Sequence, residues 1–239
     1  MNDLRWQRAF AASGVIFAIL CGAGLEVFGP QPPAFDTSAA ATARYYVVHH
    51  DAIMALVTLS ALAMAFLLPW TIQLGVMLWK RPELSRTAVL VAIVSLVASP
   101  VLLSFDLTFF AIAAYRAGSI SPDVTQALSD VAWIGSMLIW PQLGVGMAIV
   151  GVLLLRAGSM FPRWLGWYSI FCAVAEPFQA GIIFTTHGAF GPRGWTSWYG
   201  AVITWGIWVL ALSIAMCRRL FTTDAGTKHD VRAPVGANA

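Results

Sequence analysis

The chain has 239 residues, of which 59% are hydrophobic and 10% are charged, with a formal net charge of +3 and a mean hydropathy of +0.76. Soluble domains carry about 25% charged residues, so this composition excludes a water-soluble globular protein and favours a polytopic membrane protein. The basic residues stand between apolar runs, where they set membrane orientation, and they do not indicate nucleic-acid binding.

Six apolar runs along the chain are long enough to cross the roughly 30 Å hydrocarbon core. They cover residues 10–28, 52–79, 87–114, 131–155, 164–186 and 198–217. The first run has the basic flank of a signal peptide but continues to Phe28, so we expect an uncleaved helix. The sequence therefore predicts an all-α bundle of about six transmembrane helices in residues 1–220, followed by a disordered tail in residues 221–239.

The distribution of basic residues predicts the orientation of this bundle. With the N-terminus in the cytoplasm, only Arg44, Arg116 and Arg193 of the 14 lysines and arginines lie outside. The positive-inside rule then puts both termini in the cytoplasm. The first outer loop contains "PQPP", typical of an extended segment, and "TSAAATARYY", which can form a short helix at the interface. A functional loop and a plain connector both remain open interpretations.

In this orientation, the acids and histidines in or beside the membrane lie in its outer half. Such residues are costly in lipid, usually face the bundle interior and often mark functional pathways, so we expect an outward-opening polar pocket. The candidate catalytic residues are Glu176, Asp106 and Glu26. The candidate substrate-binding residues are His50, His49, Asp51, Gln179, Tyr46 and Asp130.

Glu176 is the deepest of these groups. The next residue, Pro177, has no N–H, so the carbonyl of Ala173 loses its helical partner. A neutral Glu176 could donate to that freed carbonyl, which is a structural role. The functional alternative is a proton carrier or a general acid and base.

Each of the other acids and histidines also has a structural interpretation. Asp130 in "LSDVAW" is typical of a helix N-cap, and Asp51 suits the first turn of a helix. His187 stands in a glycine-rich turn. Glu26 and Asp106 are near enough to the interface to reach headgroups or water.

Metal and haem binding are further alternatives for the same residues. His49, His50, Asp51 and His187, with Glu26 or Asp106, supply suitable ligand atoms. HExxH and ExxH pairs are lacking, and neighbouring histidines on a helix point about 100° apart, so no metal ligand set is predicted. Residues 43–69 resemble the haem-binding helix of the membrane-bound styrene oxide isomerases, which implies haem as a candidate cofactor.

Short motifs also carry a resemblance over most of the chain. "LLPW", "ALSDVAW", "FPRWLGW" and "GAFGPRGW" resemble a group of uncharacterised multi-pass membrane proteins frequent in actinobacteria and in bacteria that degrade steroids and other hydrophobic compounds. The resemblance implies a multi-pass architecture in the bacterial cytoplasmic (inner) membrane. It implies no activity and no catalytic residue.

These features favour a protein whose outer pocket binds or transforms a small lipophilic molecule, with Glu176 as acid and base and with His50, Asp106 and Glu26 as its partners. A proton-coupled transporter or channel is one alternative, and a structural or assembly subunit is another. The expected partners are the lipid bilayer and a lipophilic small molecule, and a homo-oligomer is left open. Hydrolase and nucleotide motifs of the GxSxG and GxxxxGK[ST] types are lacking, and no nucleic acid is expected.

Overall fold

The structure is a computed structural model that describes residues 2–24, 33–185, 188–190, 194, 196 and 200–230. These residues form helices, turns and loops without a β-strand, which confirms the all-α prediction. The α-helices are α1 (Asn2–Gly22), α2 (Ala39–Val48), α3 (His50–Trp79), α4 (Arg86–Arg116), α5 (Pro122–Leu138), α6 (Trp140–Arg156), α7 (Arg163–Ala175) and α8 (Ala201–Asp230). A 3-10 helix, Glu176–Phe184, continues α7.

Four helical stretches among the described residues are long and apolar enough to cross a membrane. They are His50–Trp79, Arg86–Arg116, Pro122–Arg156 and Val202–Thr222. They correspond to the second, third, fourth and sixth predicted spans. In the first predicted span, α1 ends at Gly22 and residues 25–28 lie outside the described part. The residues of the fifth predicted span form α7 and the 3-10 helix that continues it.

Serine hydroxyls mark the starts of three helices. Ser38, Ser85 and Ser121 are the N-caps of α2, α4 and α5, and each side chain accepts a backbone N–H three residues later at 3.3–3.4 Å. Helix α2 matches the short helix predicted in the first outer loop. Because α5 begins at Pro122, Asp130 lies inside that helix, and its interpretation as an N-cap is wrong.

Prolines shape two of the helices near the candidate site. Ile139 separates α5 from α6 two residues before Pro141, which has no N–H for the helical ladder. At Pro177 the backbone has already changed from α to 3-10 geometry. By contrast, α3 and α4 continue through Pro69 and Pro100.

Glycines bring the helices around Glu176 into close contact. A Cβ added to Gly151 would lie 2.8 Å from the Gly166 carbonyl oxygen, and one on Gly144 would lie 2.9 Å from the Ala173 oxygen. The backbones of α6 and α7 can approach this closely only because these positions carry no side chain. The close approach holds the beginning of the 3-10 helix against α6.

Aromatic side chains form the centre of the bundle. Trp208 of α8 is fully buried, packs edge-on against Trp70 of α3 at 5.5 Å between ring centroids, and donates to Ser169 Oγ of α7 at 2.7 Å. One turn earlier, Trp205 contacts Trp140 of α6 at 5.5 Å and Phe17 of α1 at 4.7 Å. Helix α8 thus links four other helices through two indole rings.

The last helix extends beyond the prediction. Its backbone continues to Asp230, whereas the predicted span ends at Cys217. It therefore enters the segment 221–239 that is predicted to be a disordered tail, and residues 231–239 lie outside the described part. The division into a membrane domain and a tail stays a prediction.

Candidate functional site

A cavity of about 70 Å³ lies among α1, α3, α4, α5, α6 and α8. Its lining side chains are mostly apolar: Cys21, Leu56, Ser60, Met64, Leu103, Leu107, Phe110, Trp133, Ser136, Met137, Trp140, Val202 and Trp205. At 1.5 Å per residue, Leu56 and Met64 lie about 9 and 21 Å from the start of α3. The cavity therefore occupies the half of the bundle that contains the beginnings of α3 and α5.

Three tryptophans dominate the wall of this cavity. Trp133 packs edge-on against Phe110 at 4.9 Å, and Trp140 packs edge-on against Trp205 at 5.5 Å. The hydroxyl of Ser136 donates to the Trp133 carbonyl at 2.9 Å and is thereby satisfied within α5. The buried indole nitrogen of Trp140 has no hydrogen-bond partner among the described residues. The wall suits an apolar or aromatic ligand.

Glu176 lies in a separate buried cluster between α7 and α8. Its side chain is fully buried, and its Oε1 lies 3.0 Å from Thr204 Oγ1 of α8. The Tyr168 hydroxyl and the Cys172 thiol both donate to the Thr204 carbonyl oxygen, at 3.2 and 3.9 Å. Tyr168, Cys172 and Glu176 follow at four-residue intervals and so lie on one helix face.

The hydrogen bonds of Thr204 indicate where the proton of Glu176 lies. Thr204 Oγ1 is 2.6 Å from the Gly200 carbonyl oxygen as well as 3.0 Å from Glu176 Oε1. A threonine hydroxyl has one hydrogen, and a carbonyl oxygen can only accept. If Thr204 donates to Gly200, Glu176 must itself donate to Thr204. Both contacts are therefore satisfied together by a neutral carboxylic acid.

The second oxygen of the Glu176 carboxyl group differs from the first in its hydrogen bonding. Glu176 Oε2 is buried and has no hydrogen-bond partner among the described residues. An unpaired buried carboxylate oxygen is costly, which also favours a neutral group. The partner of Glu176 is Thr204, so the suggested bond to the freed Ala173 carbonyl is not the one observed.

Asp106 is buried at a different position. A Cβ on Gly135 of α5 would lie 2.5 Å from Asp106 Oδ1, so the carboxyl group rests against the space that this glycine leaves. Asp106 makes no hydrogen bond with Glu176 or with another described residue. Neither acid lines the cavity, although Leu107, the neighbour of Asp106, does.

Tyr46 and Asp130 are brought together where α2 meets α5. The Tyr46 hydroxyl donates to Ser129 Oγ at 3.0 Å, next to Asp130 in the chain. Burial raises the pKa of Tyr46 above its ordinary value; the bond to Ser129 opposes this rise, and the charge of Asp130 adds to it. Both residues lie outside the cavity wall.

His49 and His50 lie at the start of α3, outside the cavity wall. His50 Nδ1 is 2.8 Å from Asp51 Oδ1 in an exposed pair, and the His49 ring packs on Tyr45 at 4.8 Å. Among the described residues, no histidine lines the cavity. Within the described ranges, no three metal-ligating side chains come together. Glu26, His187 and the side chain of Gln179 lie outside the described part.

The predicted site residues that the structure describes fall into several local groups. Tyr46 lies near Asp130 and His50 contacts Asp51, whereas Glu176 lies beside three residues that the sequence did not single out. Two of these, Cys172 and Tyr168, could have been found by counting back four and eight residues from Glu176. Thr204 carried no such signal, because its role depends on how α8 packs.

Comparisons of the chain with protein-family models, with curated proteins and with solved structures found no match. The resemblance to the actinobacterial group of membrane proteins therefore stays a prediction.

Proposed function

We propose that this chain is an integral protein of the bacterial cytoplasmic membrane, with six spans and both termini in the cytoplasm, that binds a small lipophilic molecule. The cavity among α1, α3, α4, α5, α6 and α8 carries this proposal, because it combines an apolar wall with three tryptophans. In the proposed orientation, the cavity lies in the outer half of the bundle. Its lining also includes Cys21, Ser60 and Ser136.

The size of the cavity limits the ligand. Its volume of about 70 Å³ is roughly half that of the engineered 150 Å³ cavity that holds benzene. A molecule of a few heavy atoms fits without movement of the walls. Met64 and Met137 line the cavity, and flexible methionine side chains can repack around part of a larger molecule. Binding is favoured over transformation, because Glu176 and Asp106 lie outside the wall.

Dibromomethane is a suitable probe of this cavity, because bromine quenches tryptophan fluorescence and Trp133, Trp140 and Trp205 line the wall. We expect saturable quenching of the purified protein in nanodiscs. Ser60→Leu places a larger side chain in the cavity and should weaken binding by about tenfold or more, equivalent to at least about 1.4 kcal/mol. Thr58→Leu, at an exposed position on the same helix, is the matched control.

Quenching that rises linearly without saturation would contradict the proposal. So would equal binding by the Ser60→Leu and wild-type proteins, provided that thermal unfolding shows both to be folded. An effect of Thr58→Leu as large as that of Ser60→Leu would assign the quenching to the lipid-facing surface.

Proton-coupled transport is the second candidate function, and two observations favour it. Among the described residues, Glu176 has a buried oxygen without a hydrogen-bond partner, and Gln73 of α3 is buried with an Nε2 that has none. In a transporter, such groups can carry protons or contact a substrate. We expect proton uptake by proteoliposomes, followed with a trapped pH-sensitive dye, to disappear in Glu176→Gln and to persist in Asp51→Asn. Equal proton uptake by wild-type and Glu176→Gln vesicles would exclude a relay through Glu176.

A further inference from the structure

A second cavity, a groove of about 280 Å³, lies between the start of α7 and the later half of α8. The first cavity lies nearer the start of α8, where Val202 and Trp205 contribute to its wall. Its lining residues are Met160, Pro162, Trp164, Leu165, Ala211, Ile214, Ala215, Arg218, Arg219 and Thr222. The lining is apolar at one end and cationic at the other.

Arg218 gives the groove a positive charge that no described residue neutralises. Its side chain is exposed and makes no hydrogen bond or ion pair with a described residue. Two other arginines have partners within the protein: Arg8 donates to the Leu220 carbonyl at 3.1 Å, and Arg81 contacts Sδ of the groove residue Met160 at 3.3 Å. Among the described residues, the groove lining contains no acidic side chain. Its rim is therefore complementary to an anion.

The first turn of α7 adds to this positive potential. Pro162 is the N-cap residue of α7 and provides no side-chain hydrogen bond, so the first N–H groups have no side-chain acceptor. The positive end of the helix dipole lies at the same place. Trp164, also in this turn, is 57% exposed, as is usual for an indole at a membrane boundary.

The length and the apolar lining of the groove suit part of an acyl chain together with the phosphate of a phospholipid. From Ala211 to Thr222 the lining residues extend about 16 Å along α8. Ala211 and Ala215 stand one turn apart and leave a shallow apolar channel, beyond which Arg218 and Thr222 supply polar groups. An acyl chain can lie along the alanines while its phosphate reaches the guanidinium group of Arg218.

We propose that this groove binds a phospholipid with an anionic headgroup. The acyl chain packs between α7 and α8, and the headgroup contacts Arg218. In the proposed orientation, the lipid belongs to the inner leaflet, where anionic lipids and basic residues attract each other by about 1 kcal/mol per residue. Binding in detergent does not depend on that orientation, so the site can be tested independently of the topology and of the ligand cavity.

The test uses the purified full-length chain in detergent, with dioleoylphosphatidylglycerol and dioleoylphosphatidylcholine as probes and native mass spectrometry as the readout. We expect the anionic lipid to bind roughly fivefold more tightly than the neutral lipid. Arg218→Gln should remove most of that preference. Arg156→Gln, an exposed arginine at the end of α6, should retain it. Ala215→Leu should weaken the binding of both lipids, because the larger side chain narrows the apolar channel.

Glycerol phosphate, which has the charge but no chains, should not bind measurably. Equal affinity for the two lipids would mean that only acyl chains occupy the groove, and would overturn the proposal. The same conclusion follows if Arg156→Gln lowers the preference as much as Arg218→Gln, since the effect is then one of net charge. Circular dichroism of each variant establishes that it is folded before its lipid affinity is compared.

Discussion

Trp208→Ala is expected to lower the free energy of unfolding by about 3–5 kcal/mol, the range for truncating a buried tryptophan. The side chain of Trp208 is fully buried, packs on Trp70 at 5.5 Å and donates to Ser169 Oγ at 2.7 Å. Its removal leaves a large space where α3, α7 and α8 meet. It also leaves the Ser169 hydroxyl without its indole partner.

Thermal unfolding in detergent, followed by circular dichroism, measures this loss. Trp208→Phe keeps most of the ring volume and removes the N–H donor, so we expect a smaller loss, to which the hydrogen bond contributes about 0.5–1.5 kcal/mol. Trp167→Ala is the matched control, because that tryptophan is 59% exposed. Substitutions at surface positions usually change the free energy of unfolding by no more than about 0.5 kcal/mol. If Trp208→Ala and Trp167→Ala had equal effects, α8 would not be the centre of the bundle.

Much of the helical architecture was predictable from the apolar runs. The predicted spans 52–79 and 87–114 agree with α3 and α4 within two residues, because the segment between them contains lysine, arginine, proline and serine, which interrupt the apolar pattern. The start of α5 was missed by nine residues. Its first turns are polar, and a search for apolar runs does not register them, although "SISPD" contains a serine cap followed by proline at the first helical position.

The candidate site was predictable only in part. Glu176 is buried, as an acid in a long apolar run should be, but its partner and its exclusion from the cavity wall depend on helix packing. Gly144 and Gly151 set how closely α6 and α7 approach, and a single sequence does not reveal which glycines face one another. The same reason explains why Asp106 does not join Glu176. Depth in the membrane was read from the sequence, whereas the angular position of each side chain was not.

Glu176→Ala should lower the free energy of unfolding by roughly 2–5 kcal/mol, because it removes a fully buried side chain of methionine-like length together with one hydrogen bond. Glu176→Gln should cost about 1 kcal/mol or less. The amide of glutamine has the shape of the neutral carboxylic acid, and its NH₂ group can donate to Thr204 Oγ1. Thr204 then still donates to the Gly200 carbonyl. Thermal unfolding in detergent of the three proteins measures both changes.

Infrared difference spectroscopy of wild type against Glu176→Gln tests the proton itself. A neutral Glu176 gives a carboxylic acid C=O band that Glu176→Gln lacks, and Thr204→Val should shift that band because its hydrogen-bond partner is gone. Asp51→Asn, at a fully exposed carboxyl, should leave the band unchanged and serves as the control. If the difference spectrum instead contained carboxylate bands, Thr204 would have to donate to Glu176. The Gly200 carbonyl would then lose that donor, and the proton assignment would be wrong.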